Sequence, residues 1–278
     1  MYIKKDIFEK VVKIRKKDAH KGDSGKVLVV AGSKDYVGAA ELSASAALAV
    51  LRTGVDIVTV TAPEKVAWAI NSVNSDLITK KIKCDYFESK HAKEIIELSR
   101  EFDVVLIGPG LGREKETFSF VKLLVEKIKK PKVIDADAIK AVDMNKVVNS
   151  VFTPHRAELI KLLKNSKIKI ERDEDLAGFV KNNILLIKGK IDVIISKKEI
   201  EYNNAGNAGM TVGGTGDVLA GLCAGFLAQG NNLIDSACAA AYLNGVVGEK
   251  LLKKSGYGFI ASDFIDEIPV VLKRLRKI

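Results

Sequence analysis

The stretch from Gly206 to Gly230, GNAGMTVGGTGDVLAGLCAGFLAQG, joins a glycine-rich loop to an apolar helix. Gly213, Gly214 and Gly216 have no Cβ, so the backbone there can form turns that other residues resist and can approach a ligand closely. The start of a helix presents unpaired N–H groups and the positive end of the helix dipole. This stretch therefore predicts a site for an anion at the start of a helix.

Asp217 is the candidate catalytic residue of this stretch. We expect the helix to begin near Asp217 or Val218, which puts the Asp217 carboxylate in the first turn, beside the anion site. A carboxylate next to a phosphate site has the right chemistry to take a proton from a hydroxyl that attacks phosphorus. The alternative is that Asp217 only caps the helix, because acidic residues are favoured in first turns. The glycines that precede it favour the ligand site.

The bulk composition is that of a folded α/β protein. The chain has 278 residues, of which 47% are hydrophobic, which is ample for a packed core. We find no linker composition, so we expect one domain over residues 1–278. The net charge is +10, but aromatic residues do not accompany the basic runs at Lys13–Lys17 and Lys127–Lys132. This pattern argues against a nucleic-acid partner and suits an anionic, nucleotide-like ligand.

The cysteines and the N-terminal segment predict a cytoplasmic protein. Cys84, Cys223 and Cys238 form no CxxC pair, and the last two lie in apolar helical sequence, as core residues do in a reducing compartment. The first residues, MYIKKDIFEKVVKIRKK, are too charged for a signal peptide. The apolar helices are too short or too interrupted to span a membrane, so no membrane partner is expected.

Short β-branched runs alternate with helical patterns, which predicts an α/β fold with a mostly parallel sheet covered on both faces. The predicted strands are Lys26–Ala31, Asp56–Thr61, Asp103–Ile107, Lys132–Ile134, Val148–Phe152, Ile184–Ile187 and Asp192–Ser196. The predicted helices are Ala39–Arg52, Lys90–Arg100, Thr117–Lys129, Val218–Ala228, Leu233–Lys253 and Ala261–Leu275. The strands between Ile184 and Tyr202 follow one another so closely that we expect a hairpin at one edge of the sheet.

Unusual residues follow several of these strands. In such sheets ligands bind beyond the carboxyl ends of the strands. The segments at those ends are Gly32-Ser33, Gly108-Pro109-Gly110-Leu111-Gly112, Asp135-Ala136-Asp137, Thr153-Pro154-His155-Arg156-Ala157-Glu158 and Lys188-Gly189-Lys190. We expect all of them at one rim of the sheet.

The GPGLG segment, Gly108–Gly112, is a poor match to the dinucleotide-binding fingerprint. Its glycines have the wrong spacing and charged residues follow them. A backbone platform for a ligand is favoured over a nicotinamide Rossmann site, and a plain strand-to-helix turn is the alternative. A P-loop motif is absent from the sequence.

Several side chains at this rim have both a structural and a functional interpretation. His155 and Glu158 can contact a substrate and a hydrated Mg²⁺, or can simply cap a helix. Strand alternation would put Asp135 and Asp137 on one face, where they can position a metal or a ribose, or one of them can cap the next helix. Lys188 can meet a nucleotide phosphate, or can be an exposed hairpin lysine.

Seven motifs occur in one order between about His20 and Gly248, and together they resemble the ADP-dependent NAD(P)H-hydrate dehydratases, which are ribokinase-like proteins. The motifs are HKGDSGKVLVVAGS, VGAAELSASAAL, GPGLG, VIDADAI, TPHRAE, IKGKIDVI and GNAGMTVGGTGDVLAG. The resemblance implies a ribokinase-like three-layer α/β/α fold. It also implies a stand-alone dehydratase that restores the S epimer of hydrated NADH or NADPH, using Mg²⁺ and ADP, or ATP, as phosphate donor. The family suggests a homo-oligomer, a tetramer.

The resemblance also assigns residues. Asp217 matches the family's base, while Gly214, Thr215 and Gly216 would bind the transferring phosphoryl group. Positions that match contacts to the hydrated nicotinamide nucleotide are Ala39, Gly110, His155 and Asp217. Positions that match contacts to AMP are Lys188, Gly189, Lys190, Ile191, Asp192 and Gly216. Glu158 resembles an acid of the wider superfamily that is linked to the metal through water.

The chain departs from the family at Arg156 and Ala157, where TPHPGE is usual, and we expect the added charge of Arg156 to change the grip on the substrate. The main alternative function is an ATP-dependent kinase of the same fold that phosphorylates a vitamin-like alcohol such as a thiazole or pyridoxine. HxxE in place of NxxE, together with GPGLG and GNAGM, favours the dehydratase. A non-catalytic nucleotide-binding protein is a further alternative, against which the acid at Asp217 argues.

Overall fold

A single nine-stranded sheet lies at the centre of the protein, in the part of the chain that the structure describes. The structure is a computed structural model that describes residues 1–13, 18, 20, 23–38, 42 and 56–276. The strands are β1 (Lys26–Val30), β2 (Ile57–Pro63), β3 (Ile78–Ile82), β4 (Val104–Ile107), β5 (Lys132–Ile134), β6 (Ser150–Phe152), β7 (Ile184–Ile187), β8 (Asp192–Ile195) and β9 (Ile200–Asn203).

The sheet is mostly parallel, with an antiparallel edge. Its strand order is β3-β2-β1-β4-β5-β6-β7-β8-β9. All neighbours from β3 to β7 are parallel, whereas β7, β8 and β9 pair antiparallel. The expected edge hairpin is therefore confirmed.

Helices cover both faces of the sheet and make the fold a three-layer α/β/α structure, as expected. The helices of the described residues are α1 (Ile7–Val11), α2 (Glu64–Val73), α3 (Ala92–Leu98), α4 (Lys115–Lys127), α5 (Ala136–Ile139), α6 (Arg156–Ser166), α7 (Thr215–Ala228), α8 (Leu233–Ser255) and α9 (Ala261–Arg276). One face packs against α1, α2, α7, α8 and α9, and the other packs against α3, α4, α5 and α6.

Alternation along the strands explains why both faces are apolar. In β1, Val27 and Val29 enter the core on the α7 and α8 side, whereas Leu28 and Val30 enter the core on the opposite side. Successive side chains of a strand point to opposite faces, so a strand between two helical layers must be apolar throughout. Uninterrupted apolar runs made the central strands recognisable in the sequence.

One edge strand, β3, and two helices, α1 and α2, are missing from the sequence-based expectation. Strand β3 has the sequence ITKKI, and most of its residues are exposed or only half-buried. Lysines on an edge strand discourage pairing with other chains but erase the apolar signal of a strand. Helix α2, which begins directly after Pro63, is also missing. The helix predicted at Ala39–Arg52 lies outside the described residues, except for Leu42.

The direction of chain growth across the sheet reverses between β1 and β4. From β1 the chain adds β2 and β3 on one side, and it then returns to add β4 and the later strands on the other side. Loops leave a reversal point in opposite directions and open a crevice at the carboxyl ends of the strands, where ligands bind in open α/β sheets. A ligand site is therefore expected at the loops after β1 and β4.

The apolar helices belong to the core of this fold. Cys223 in α7 and Cys238 in α8 are buried and unpaired, as expected. Among the described residues, no helix combines the length and the apolar character that a membrane span requires.

Lys132, the first residue of β5, is a buried cation at the opposite end of the sheet from the crevice. The residue is only 1% exposed. The ammonium group donates to the carbonyls of Ile128 at 3.0 Å and Val148 at 3.2 Å, and to that of Lys130 at 3.3 Å. Burial, helped by the charge of Lys129, lowers the pKa of Lys132 to about 8.

Replacement of Lys132 by Met should destabilise the protein, because three carbonyls lose their donor, at a cost of about 1–3 kcal/mol. The penalty should grow with pH. Between the folded-state pKa of about 8 and the pKa of the unfolded state, the unfolded wild type binds more protons than the folded wild type, so its free energy of unfolding increases with pH. The methionine in the variant does not titrate, so the difference in stability between the two proteins grows. Chemical denaturation at pH 7 and pH 10 measures this difference. Lys122→Met, at an exposed site in α4, is the control, and an equal penalty at both pH values would contradict the lowered pKa.

Candidate active site

The loops that follow neighbouring strands are joined directly at the rim. The Gly32 N–H donates to the Pro109 carbonyl at 2.9 Å, which links the loops after β1 and β4. The Lys188 N–H donates to the Pro154 carbonyl at 2.8 Å, which links the loops after β6 and β7. The structure thus assembles the predicted rim from segments distant in sequence. Ala39, predicted to contact the substrate, lies outside the described residues.

Helix α7 begins at Thr215, which corrects the expected start near Asp217 or Val218. The Gly214 carbonyl already accepts the first helical hydrogen bond, from the Val218 N–H at 3.1 Å. Asp217 is consequently the third residue of the helix, still within its first turn. The first N–H groups of a helix have no partner inside it, so the N–H groups of Thr215 and Gly216 are the candidate anion-binding groups of this loop.

The conformation of the loop before α7 requires glycine at its last position. Gly214 has a φ of 96°, and a Cβ there would lie 2.7 Å from Ala261 Cβ and 2.7 Å from Leu42 Cδ1. The Thr215 hydroxyl donates to the Met210 carbonyl at 2.8 Å. Any contact of Thr215 with an anion would therefore use its backbone N–H, since its hydroxyl proton holds the loop.

Lys188 brings a positive charge to the start of α7. Its Nζ atom lies 3.0 Å from Asp135 Oδ1 and 3.9 Å from Glu158 Oε2. A Cβ at Gly216 would lie 3.2 Å from the same Nζ atom. The Thr153 hydroxyl donates to Asp135 Oδ1 at 2.7 Å and fixes the carboxylate that holds the lysine. The ammonium group and the free helix N–H groups thus face one small region, which suits a phosphate.

The alternative that Lys188 is an exposed hairpin lysine is wrong, because only 20% of its side chain is accessible to solvent. Burial alone would lower the pKa of Lys188, but the carboxylates of Asp135 and Glu158 outweigh it and raise the pKa. Lys188 is therefore charged at every physiological pH.

The carboxylate of Asp217 has the electrostatic setting of a general base. Burial, followed by the negative charge of Asp135, raises the pKa of Asp217 to about 7. Lys188 opposes this shift, and Glu158 adds to it. A base is most effective when its pKa lies near the working pH. First-turn capping alone would leave the pKa low, so the raised pKa favours the catalytic interpretation.

His155 and Glu158 form the capped helix start that the sequence offered as one interpretation. The His155 N–H donates to Glu158 Oε2 at 3.0 Å. His155 Nδ1 accepts from the Ala157 N–H at 3.2 Å, which assigns the ring proton to Nε2. The imidazole is still 53% exposed, so its edge can also contact a ligand at the rim.

Glu158 is a buried carboxylate beside Lys188. Its side chain is 5% exposed, and burial raises its pKa against the opposing charge of Lys188. Among the described side chains, no group of three or more His, Cys, Asp and Glu residues could hold a metal ion. Mg²⁺ keeps several waters and binds through few carboxylates plus substrate phosphates, so these residues are compatible with a water-mediated site.

The GPGLG segment makes close backbone contacts beside this region. Gly108 has a φ of 141°, and a Cβ there would lie 1.8 Å from the Asp135 carbonyl oxygen. Gly110 also has a positive φ, 63°. The Gly112 N–H donates to Asp137 Oδ2 at 3.2 Å, deep in the protein. The platform interpretation therefore has a structural basis in close backbone contacts.

Asp135 and Asp137 do not share a strand face, which corrects the expectation. Strand β5 ends at Ile134, and α5 begins at Ala136, so alternation no longer applies. Asp135 holds Lys188, whereas Asp137 accepts from the Lys140 ammonium at 2.7 Å. The two carboxylates thus organise two different loops.

The charge of Arg156 is already paired. Its Nη1 atom lies 2.6 Å and 2.8 Å from the two carboxylate oxygens of Asp173. The Arg156 side chain is 66% exposed, and its partner lies in a short 3₁₀ segment outside the carboxylate group at the rim. The effect on substrate binding that the sequence led us to expect would therefore require the ion pair between Arg156 and Asp173 to break.

The predicted nucleotide segment Lys188–Asp192 forms the tight turn after β7 and the first residue of β8. The Gly189 N–H donates to Asp192 Oδ1 at 3.0 Å, and Asp192 Oδ2 accepts from Asn203 Nδ2 at 2.9 Å. Lys190 and Ile191 are exposed at the tip of the turn. Both oxygens of Asp192 thus shape the turn itself.

The roles of Thr153 and Asn203 were not predicted from the sequence. Thr153 stands inside the TPHRAE motif, but the partner of its hydroxyl is 18 residues away in sequence. Asn203 could have been noticed in the sequence, because asparagine is depleted in strands. In the structure it ends β9 in a buried position.

Comparisons with known proteins agree with this architecture. A family profile described as NAD(P)H-hydrate dehydratase matches residues 27–270. A bifunctional NAD(P)H-hydrate repair enzyme from Methanothermobacter thermautotrophicus is 41% identical over 270 residues, which cover 93% of this chain and 51% of the relative. The chain thus spans about half the length of the curated relatives that it matches.

Two solved structures share the fold. A ribokinase-like superfamily protein from Enterococcus faecalis has a TM-score of 0.83 at 25% identity, covering 100% of this chain and 96% of the other. An ADP/ATP-dependent NAD(P)H-hydrate dehydratase from Bacillus subtilis, co-crystallized with ATP and Mg²⁺, has a TM-score of 0.80 at 24% identity, over 99% of this chain and 98% of its own. At that identity the second match shows the fold alone. Because the family profile covers most of the sequence, this chain belongs to the NAD(P)H-hydrate dehydratase family.

Proposed function

We propose that this chain catalyses the nucleotide-dependent dehydration of the S epimer of hydrated NADH or NADPH. With ADP as the donor, the products are NAD(P)H, AMP and phosphate. The observation that carries the proposal is the Asp217 carboxylate, whose pKa is about 7, in the first turn of a helix whose free N–H groups lie beside the Lys188 ammonium. The proposal assigns to these groups the base, the anion site and the cation that phosphoryl transfer to a hydroxyl requires.

In the proposed first step, Asp217 accepts the proton of the ring hydroxyl while that oxygen attacks the terminal phosphorus of the nucleotide. The bond between this phosphorus and its bridging oxygen breaks, and AMP leaves when the donor is ADP. The N–H groups of Thr215 and Gly216, with the Lys188 ammonium, stabilise negative charge on the transferring phosphoryl group. Much of the rate gain would come from positioning and charge stabilisation.

In the second step, phosphate leaves with the electron pair of the carbon–oxygen bond. A proton passes from the neighbouring ring carbon to water, and the ring double bond forms again. Phosphorylation turns a poor leaving group, hydroxide, into a good one, and no net oxidation or reduction occurs. Gly110 and His155, together with Ala39, are the residues proposed to hold the nicotinamide nucleotide during both steps.

Mg²⁺, when bound, would neutralise charge on the phosphates of the donor. Glu158 is the residue proposed to hold it through water. The Bacillus subtilis protein named above was co-crystallized with ATP and Mg²⁺, which supports the use of a magnesium nucleotide here. The choice of ADP as the donor is part of the proposal.

The decisive assay is incubation of hydrated NADH with the protein, Mg²⁺ and either ADP or ATP. The proposal predicts recovery of the reduced-nicotinamide absorbance together with release of phosphate, faster with ADP. A stable phosphorylated product from a vitamin-like alcohol, without recovery of that absorbance from hydrated NADH, would instead identify a small-molecule kinase.

Replacement of Asp217 by Asn should lower turnover by about 10²–10⁴-fold and leave nucleotide binding intact, because the variant loses only the proton acceptor. At pH 8 its thermal stability should rise, since a carboxylate that is costly to ionise is removed. Steady-state kinetics and thermal unfolding measure the two effects. Glu116→Gln, at an exposed first-turn site in α4, is the matched control. Near-normal turnover in the Asp217 variant would remove this residue as the base.

The rate should rise with pH through a midpoint near 7, because only ionised Asp217 can accept a proton. Asp135→Asn should move this midpoint to lower pH, since the neighbouring negative charge raises the Asp217 pKa. Asp137→Asn should move it less, because its charge contributes less to the shift. Profiles of kcat/KM between pH 5 and pH 9 measure the midpoint in the wild type and in both variants. The same midpoint in all three proteins would contradict the predicted influence of Asp135 on Asp217.

A further inference from the structure

Asn203 joins the two halves of the proposed nucleotide site, although it lies in neither. It ends β9 and stands directly opposite Asp192 of β8 in the antiparallel register. Its side chain is buried, with 1% of the residue exposed. A fully buried amide must find its hydrogen-bond partners inside the protein, so the identity of those partners shows what Asn203 organises.

The first partner is the turn after β7. Asn203 Nδ2 donates to Asp192 Oδ2 at 2.9 Å, and the other oxygen of that carboxylate accepts from the Gly189 N–H at 3.0 Å. Burial raises the pKa of Asp192, and the hydrogen bonds from Asn203 and Gly189 oppose that rise. The conformation of the turn therefore depends on a carboxylate that Asn203 stabilises.

The second partner is the segment that leads into α7. Asn203 Oδ1 accepts from the Ala205 N–H at 3.1 Å, and its Nδ2 donates to the Ala241 carbonyl of α8 at 3.1 Å. This segment is packed tightly against α8, because a Cβ at Gly245 would lie 2.4 Å from the Ala205 carbonyl oxygen. Asn203 thus fixes the approach to the anion-binding loop relative to the same helix.

We propose that Asn203 is a positioning residue for the nucleotide, holding the Gly189–Asp192 turn and the segment from Ala205 to Gly214 in fixed relation. This inference rests on the proposed function, because it takes these two segments as the nucleotide site. Asn203 acts through Asp192 and the backbone. Its loss should weaken nucleotide binding and raise the KM for the nucleotide, with little change in kcat.

The test is calorimetric titration of the full chain with ADP and with ATP, each with Mg²⁺. Asn203→Asp places a second carboxylate against Asp192 and should weaken binding by about 10- to 100-fold, the range for loss of a hydrogen bond to a charged group. Asn204→Asp makes the same change at the adjacent exposed residue and should bind as the wild type does. The double variant Asp192→Asn/Asn203→Asp restores one donor and one carboxylate to the pair and should recover part of the affinity.

A purely structural role is separated by measuring affinity at a temperature where circular dichroism shows every variant folded. If Asn203→Asp does not fold, Asn203→Ser removes the amide without adding charge and should also weaken binding. Wild-type affinity in a folded Asn203 variant would overturn the inference while leaving the proposed function intact. Failure of the wild type to bind either nucleotide would overturn the proposed function, and with it this inference.

Discussion

The ammonium group of Lys188 is the charge around which the candidate site is arranged. Asp135 lies 3.0 Å from it and Glu158 lies 3.9 Å from it, and its charge also lowers the pKa of Asp217 against burial. Carboxylates grouped in a poorly hydrated region repel one another and are costly to ionise. Without the Lys188 cation, the free-energy cost of keeping these three carboxylates, those of Asp135, Glu158 and Asp217, ionised would be larger. The first turn of α7 would also lose its neighbouring positive charge.

The sheet explains how one lysine reaches all of these groups. Parallel strands end at the same edge, so the segments after β5, β6 and β7 meet although they lie far apart in sequence. Thr153, directly after β6, fixes the Asp135 carboxylate through its hydroxyl. The loop before α7 then brings Gly216 close to the lysine. A parallel sheet with a helix start at its carboxyl edge is therefore sufficient to place carboxylates, an ammonium group and free helix N–H groups side by side.

The sequence predicts the centre of this fold well because its signals are local. Apolar runs such as those of β4 and β7 are buried on both faces, and the glycines before Asp217 mark the helix start. Strand β3 lacks that signal because lysines occupy an edge. The site is less predictable from sequence, since burial of Lys188 and the pairing of Arg156 with Asp173 depend on tertiary contacts. The distinct environments of Asp135 and Asp137 likewise arise from a strand that ends one residue before Asp135.

The same contacts that suit the site to catalysis work against stability. Asp217 is held where its charged form is disfavoured, and Gly214 has a conformation that most residues resist. Functional sites commonly retain such costs because the surrounding structure fixes them. In this protein the fixing contacts are the hydroxyl of Thr215, the packing of Ala261 and Leu42 around Gly214, and the charge of Lys188.

The most direct test of this account is the titration of the Asp217 carboxyl carbon by NMR, in the wild type and in Lys188→Met. We expect a midpoint near pH 7 in the wild type and a higher midpoint in the variant, because the cation that favours the ionised form is removed. An Asp217 carboxyl that titrates near its ordinary pKa of 3.8 in both proteins would contradict it.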